Sequence, residues 1–134
     1  MAYVAIDYNA GLVKRERDAG HTVFYGDARK PDVLRSLGVE ETNLVIVTVD
    51  DFEASEQTVS CLHRMFPKLD ILVRGHDMEH CKRLEAQGAW LTVSENLEAS
   101  IALAQLALVK IMADETMTGK VIDQFRKKHS QHRE

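Results

Sequence analysis

The chain has 134 residues and a mass of 15.1 kDa, which is enough for one domain with an ordinary hydrophobic core. Hydrophobic residues make up 45% and charged residues 28%, a composition typical of globular domains that excludes global disorder. The net charge of −4 and the pI of about 5.9 provide no basic field, so we expect no nucleic-acid partner.

The first residues of the chain and its two cysteines indicate the cellular compartment. Met1–Asp7 leads into charged residues without the apolar core of a signal peptide, and Cys61 and Cys81 form no CxxC motif. These features predict a reduced, cytoplasmic protein. The longest apolar stretch, Leu97–Met112, is shorter than a bilayer span and carries charges, so we expect no membrane-crossing helix.

Five short apolar runs rich in valine and isoleucine predict buried β-strands. They do not alternate between apolar and polar residues, which is typical of parallel strands covered on both faces. Segments with helical periodicity separate them, and this order predicts repeated βαβ units and an α/β fold with a parallel sheet. The predicted strands are Tyr3–Asp7, Thr22–Tyr25, Leu44–Val49, Ile71–Arg74 and Trp90–Val93.

Apolar stripes and terminating residues mark the intervening helices. Glycine is favoured at the left-handed end of a helix, so Gly20, Gly38 and Gly88 are expected C-cap positions, and Pro67 ends the helix before it. The stripes are formed by Val33, Leu34 and Leu37, by Val59, Leu62, Met65 and Phe66, and by Met78, Cys81 and Leu84.

The last third of the chain predicts contact with a second subunit. Leu97–Met112 is apolar nearly all round, and such a helix needs cover on two sides, which predicts a homodimer. After an expected break at Asp114–Gly119, a second amphipathic helix follows, and it either docks on a partner protomer or packs on its own domain. Residues 120–134 hold five basic and two acidic side chains, a net +3, which is a solvated helix face or a surface for an anionic partner.

Polar residues follow four consecutive predicted strands. In an open α/β sheet, ligands bind outside the carboxyl ends of the strands, so these residues predict a ligand site. An acid after the first strand can accept both hydroxyls of a ribose, an acid after the second can accept an adenine amino group, and an arginine can face phosphate oxygens. The candidates are Asp7, Tyr8, Asn9, Gly26, Asp27, Ala28, Thr48, Asp50 and Arg74.

Two motif observations qualify this prediction. The seven glycines form neither GxGxxG nor GxxxxGK, so no glycine loop for a pyrophosphate is predicted. His76-Asp77-Met78-Glu79-His80 matches the H-x-x-E-H pattern of zinc hydrolases. However, Asp77 resembles a helix N-cap that would leave His76 off the helix, so surface histidines at a helix start and no metal are expected.

Taken in order, these residues resemble a known family. The run Tyr3–Asp7, Gly20-His21 and Tyr25–Ala28 is similar to the regulatory nucleotide-binding domain of potassium transporters and channels, called TrkA-N, KTN or RCK. The resemblance is strongest to the C-terminal domain of glutathione-gated (Kef-type) potassium-efflux antiporters and covers about residues 3–112. Its further matches are Leu44–Val47 with Asp50-Asp51, Phe66-Pro67, Ile71–Arg74, Asp77, His80, Ala86–Ala89 and Glu95–Ser100.

The resemblance implies a Rossmann-like dimer that binds NAD(H) or AMP and gates a membrane potassium-efflux antiporter from the cytosolic face. By position, Asp7 corresponds to the ribose acid, Asp27 with Ala28 to the adenine contact, and Arg74 to a phosphate contact. Thr48 and Asp50 would line the cleft. His76 stands where the family often has arginine, near the region associated with glutathione, which puts glutathione control in doubt.

The first strand of the family and its glycine loop have no counterpart in the chain. The strands Tyr3–Asp7 and Leu44–Val49 would each lose a neighbour, and unpaired buried backbone groups cost about 1–3 kcal/mol apiece. The edges could pair directly, a swapped dimer could supply the pairing, or the strand could come from upstream or from another polypeptide. Direct closure or dimeric pairing is the expectation for a chain that folds alone.

These observations predict a truncated Rossmann-like TrkA-N domain over residues 1–112, with a hinge and a C-terminal amphipathic helix over residues 113–134. The predicted function is a non-catalytic regulatory module that binds an adenine nucleotide weakly. One alternative is a dimeric interaction scaffold that has lost nucleotide binding. Another is a fragment of an NAD-dependent oxidoreductase.

Overall fold

The computed structural model describes residues 2–112 and 115–130, and its strands and helices alternate in the predicted order. All five predicted strands are present and every strand pair is parallel, so the predicted α/β class is confirmed. The elements are β1 (Ala5–Asp7), α1 (Ala10–Asp18), β2 (Val23–Tyr25), α2 (Pro31–Ser36), β3 (Leu44–Val47), α3 (Phe52–Met65), β4 (Asp70–Gly75), α4 (Met78–Ala86), β5 (Leu91–Ser94), α5 (Glu95–Met112) and α6 (Glu115–Ser130).

Polar residues after the strands begin the next helices. The side chains of Asn9, Asp51 and Asp77 each accept a hydrogen bond, of 2.7–3.1 Å, from the backbone N–H three residues further on. Each satisfies one donor that the first helical turn leaves without a partner. The predicted helix-ending glycines all have positive φ, at +92°, +72° and +116° (Gly20, Gly38 and Gly88).

The strands form two sheets, which corrects the expectation that the gap closes directly. β1 pairs with β2, and β3–β4–β5 form a separate sheet, so no ladder joins β1 to β3 within residues 2–112 and 115–130. Dimeric pairing, or a strand from upstream or from another polypeptide, stays a prediction. The sequence showed two strands that lack a neighbour, but not whether their edges meet.

The open edge of β3 lies at an exposed residue. In a parallel ladder, only every second residue of a strand forms backbone hydrogen bonds to a given neighbouring strand. Ala5 N donates to Thr22 O, so the backbone groups of the next residue, Ile6, point away from β2. Likewise, Asp70 N donates to Asn43 O, so alternate residues from Asn43 onwards bond to β4 and the backbone groups of Ile46 point away from it. Ile46 is 61% exposed, so the burial penalty expected for an open gap does not apply to it.

The main core lies between the second sheet and the helices on one of its faces. Ile71 and Val73 of β4 and Leu62 of α3 are fully buried there. Leu34 of α2 belongs to the same cluster and connects the segment after β2 to this core. The other face of this sheet is largely uncovered, since Ile46 and Val93 are 61% and 44% exposed. This corrects the expectation of strands covered on both faces, because the apolar residues of these runs do not by themselves supply a second layer of helices.

The two C-terminal helices pack against each other. A terminal nitrogen of Arg126, near the end of α6, donates to Glu98 Oε2 near the start of α5 at 3.1 Å, so the helices form an antiparallel hairpin. α6 begins at Glu115 rather than after Gly119, so the predicted break does not extend over residues 115–119. None of the described helices is long and apolar enough to cross a membrane.

Candidate functional site

The carboxyl end of the first sheet brings together Asp7, Asn9 and Gly26. Asp7 ends β1, and its Oδ1 accepts from Asn9 N at 2.7 Å, while Gly26 N donates to Asp7 O at 2.9 Å across to β2. Among the described residues no hydrogen bond reaches Asp7 Oδ2, so this carboxylate keeps an acceptor for a ligand. Asn9 is accounted for by its capping of α1.

Packing explains two other predicted site residues. A Cβ on Gly26 would lie 3.0 Å from side-chain atoms of Ile6 and Val33, so this glycine allows β1 and α2 to approach closely. Ala28 packs against the main core and can offer a ligand only its backbone. Tyr8 is 65% exposed beside Asp7, where its ring is open to a ligand.

Asp27, the predicted adenine contact, is engaged by Arg29. The Arg29 guanidinium donates to both carboxylate oxygens, with Nε at 2.9 and 3.2 Å and a terminal nitrogen at 2.8 Å. The backbone N–H of Arg29 also donates to Oδ1 at 2.9 Å. These hydrogen bonds from Arg29 lower the pKa of Asp27 to about 2, and donating the side-chain bonds to Asp27 raises the pKa of Arg29.

The carboxyl end of the second sheet brings together the remaining predicted residues. Arg74, the penultimate residue of β4, donates to Thr48 O at 2.8 Å and forms an ion pair with Asp50. Its Nε lies 3.8 Å from Glu95 Oε2 at the start of α5. Arg74 is therefore present where a phosphate contact was predicted, but two carboxylates already surround it.

Arg29 stands between the two groups of residues. After Asp27, the negative charge of Asp51 at the start of α3 also contributes to the raised pKa of Arg29. Arg29 also borders a surface cavity of about 440 Å³ whose walls include Glu53, Glu56 and Arg64 of α3. Sequence reasoning missed Arg29, because an arginine two residues after an aspartate in a turn is expected on any solvated surface.

The zinc interpretation of the H-x-x-E-H motif does not fit the geometry. α4 starts at Met78 with Asp77 as its N-cap, so His76 lies off the helix as predicted. His80 is not a surface histidine but only 2% exposed, and both its ring nitrogens are engaged, Nδ1 by His76 N at 3.1 Å and Nε2 by Ser55 Oγ at 3.2 Å. Over residues 2–112 and 115–130, no cluster of three or more His, Cys, Asp or Glu side chains could hold a metal.

His80 is held as a neutral imidazole. Since His76 N donates to Nδ1, the ring proton is on Nε2, which donates to Ser55 Oγ, and that hydroxyl donates to Phe52 O at 2.9 Å. Burial lowers the pKa of His80, and Glu56 at 3.7 Å opposes this only in part. Helical spacing could have revealed this burial, because His80 precedes the buried Leu84 by four residues.

Comparison with known proteins shows which family this geometry belongs to. A family model described as the TrkA-N domain matches residues 1–95. A glutathione-regulated potassium-efflux system protein of Haemophilus influenzae is 31% identical over 121 residues, which cover 90% of this chain and 20% of that protein. The chain spans 11% and 20% of the length of two of the curated antiporters that it matches.

Two solved structures have similar folds. The Shewanella denitrificans Kef C-terminal domain in its AMP-bound form has a TM-score of 0.77 at 21% identity, covering 96% of this chain and 92% of that one. The GsuK channel bound to NAD has a TM-score of 0.65 at 26% identity, covering 81% of this chain and 19% of that one. Both likenesses support the Rossmann-like fold predicted from the sequence.

Proposed function

Because the chain belongs to the TrkA-N family, we propose that it is a nucleotide-binding regulatory domain that gates a potassium-efflux antiporter from the cytoplasmic side. The observation that supports this proposal is the position of Asp7 and Asp27 after the strands of the first sheet and of Arg74 near the end of β4 in the second, since α/β sheets bind ligands at the carboxyl ends of their strands. The relatives that it matches are potassium-efflux antiporters, and we extend that setting to this chain.

AMP or another adenosine nucleotide is the ligand that these residues fit best. Asp7 Oδ2 is placed to accept a ribose hydroxyl, and Tyr8 beside it can cover the sugar or base. No glycine loop is available in this chain for a pyrophosphate, so NAD(H) should bind more weakly than AMP. The solved neighbours bound to AMP and to NAD agree with this choice of ligand class.

Asp7→Asn is expected to remove most of the stabilisation by AMP. The amide oxygen keeps the hydrogen bond from Asn9 N, so the turn survives, but the charged acceptor for a ribose hydroxyl is lost. Thermal melts test this, since AMP at ~100 times its dissociation constant should stabilise the native chain by about 2.7 kcal/mol. Asp18→Asn, at the far end of α1, is the matched control and should leave the AMP shift intact.

A regulatory role requires that ligand binding reach a partner, and we propose that it does so through a homodimer. α5 presents Leu103, Leu106 and Ile111 at 69%, 69% and 78% exposure, far more apolar surface than one packed helix usually leaves. The uncovered face of the second sheet adds Ile46 and Val93. A second copy that covers these surfaces would couple the two sites, since rearrangement of a subunit interface is a common switching device.

Leu106→Glu is expected to convert the dimer to a monomer, because it places a charge in a desolvated apolar interface. Light scattering of the purified chain measures this as a halving of mass. Gln105→Glu adds the same charge one residue away on another side of α5 and should keep the dimer. A native chain that is already monomeric at high concentration would contradict the dimer proposal.

An interaction scaffold without nucleotide binding is the second candidate function. The engagement of Asp27 by Arg29 favours it, since an occupied carboxylate is a poor ligand acceptor. A dimer whose melting temperature responds to no adenine nucleotide would support the scaffold. An oxidoreductase fragment is the weakest of the three candidates, because the curated relatives named above are potassium-efflux proteins.

A further inference from the structure

Arg29 engages both carboxylate oxygens of Asp27 with three N–H groups, and its Nε–H is shared between the two oxygens. A carboxylate offers about four lone-pair positions to hydrogen-bond donors. Oδ1 accepts from the backbone N–H and from Nε of Arg29, both at 2.9 Å, and Oδ2 accepts from Nε at 3.2 Å and a terminal nitrogen at 2.8 Å. A ligand amino group therefore meets Arg29 at both oxygens of Asp27 while the Arg29 side chain stays in place.

We propose that Arg29 sets the affinity and base selectivity of the site, because an adenine amino group reaches Asp27 only by displacing the Arg29 guanidinium. This inference rests on the proposed function and adds the residue that controls access to the site. Arg29 is a positioning residue in this scheme, since it acts through Asp27 rather than through the ligand.

The displacement is feasible because the ion pair is close to water. The Arg29 and Asp27 side chains are 49% and 24% exposed, and ion pairs at such positions contribute little net stability. Arg29 borders the cavity of about 440 Å³, which offers space for its guanidinium to turn away from Asp27. Glu53 and Glu56 line the same cavity and provide negative charge for the displaced side chain.

Neutral nucleosides test the proposal without interference from phosphate charge. At the exocyclic position adenosine carries an amino group that can donate to Asp27, whereas inosine carries a carbonyl oxygen that the carboxylate repels, so the two nucleosides differ at the predicted contact. Arg29→Ala keeps the backbone N–H but frees Oδ2, and we expect calorimetry to show adenosine binding about tenfold more tightly than to the native chain. Inosine should gain nothing from the same substitution.

Arg35→Ala is the matched control. It removes the same charge from α2, where Arg35 pairs with Asp32 at 3.7 Å and does not contact Asp27. Adenosine affinity should be unchanged in this variant. NMR titration confirms that Asp27 is released, since its pKa should rise from about 2 towards its ordinary value in Arg29→Ala.

The outcomes separate this inference from the proposed function. Equal adenosine affinity of the native chain and Arg29→Ala would overturn the control by Arg29 and leave nucleotide binding in place. An equal gain for adenosine and inosine would overturn the selectivity through Asp27. Failure of adenosine and AMP to bind the native chain and the variant would overturn the proposed function itself.

Discussion

Replacing Gly88 with alanine is expected to lower the free energy of unfolding by about 3 kcal/mol, since left-handed strain and overpacking each cost roughly 1–3 kcal/mol. Gly88 follows α4 with φ of +116°, a conformation that residues with a Cβ rarely adopt. The added Cβ would also lie 2.7 Å from the Cβ of His63 on α3. Because that atom is fixed to the α3 backbone, rotation of the imidazole cannot relieve the contact.

Gly20→Ala separates the two contributions. Gly20 also has positive φ, at +92°, but nothing lies within 4 Å of an added Cβ, so only the backbone strain applies. Urea unfolding of both variants measures the difference. If Gly88→Ala is no more destabilising than Gly20→Ala, the close packing of α3 on the end of α4 is wrong.

His80 is expected to make the stability of the domain pH-dependent. Its pKa in the folded chain is lowered, mainly by burial, so the unfolded chain binds a proton on this residue more readily than the folded chain does. Its contribution is therefore fully present above the ordinary histidine pKa of about 6.5 and is lost as the pH falls from there towards the folded value. Glu56 and Asp77 favour the charged ring, and Arg83 and His76 oppose it.

His80→Asn is expected to cost about 2 kcal/mol at neutral pH, because the buried ring is lost and Ser55 loses its donor. The variant should also lose the decline in stability between about pH 7 and pH 5, since residue 80 no longer titrates. Denaturant unfolding across this range measures both effects. His21→Asn removes an exposed histidine from the loop before β2 and should keep the decline. A native-like decline in His80→Asn would contradict the assignment.

The sequence was sufficient for the elements and the fold class. Runs such as Leu44–Val47 are rich enough in β-branched residues to predict strands, although the predicted cover on both faces is wrong here, since Leu44 and Ile46 are exposed. The helix caps follow from residue types such as Asn9 and Gly88. α6 began earlier than predicted, because the polar residues and Gly119 in Asp114–Gly119 resemble a break although packing on α5 favours helix.

Which strand edges pair, and which side chains bond to each other, could not be predicted from the sequence. A run of apolar residues predicts a strand, but it does not specify which other strand its edge pairs with, so the separation of β1 from β3 was not predictable. Likewise, Asp27 could be identified as an acceptor from its place after β2. Its engagement by Arg29 depends on a rotamer choice that residue order does not specify.

The most direct test of the account is an NMR titration of the native chain with AMP, following backbone amides. Binding at the carboxyl ends of β1 and β2 predicts saturable shifts for Asp7, Asn9 and the Gly26–Arg29 turn, with smaller shifts near Thr48 and Asp50. Amides at the opposite ends of the same strands should not move. Saturable shifts confined to other surfaces, or no shifts at AMP concentrations well above those expected for a regulatory site, would contradict nucleotide recognition by this domain.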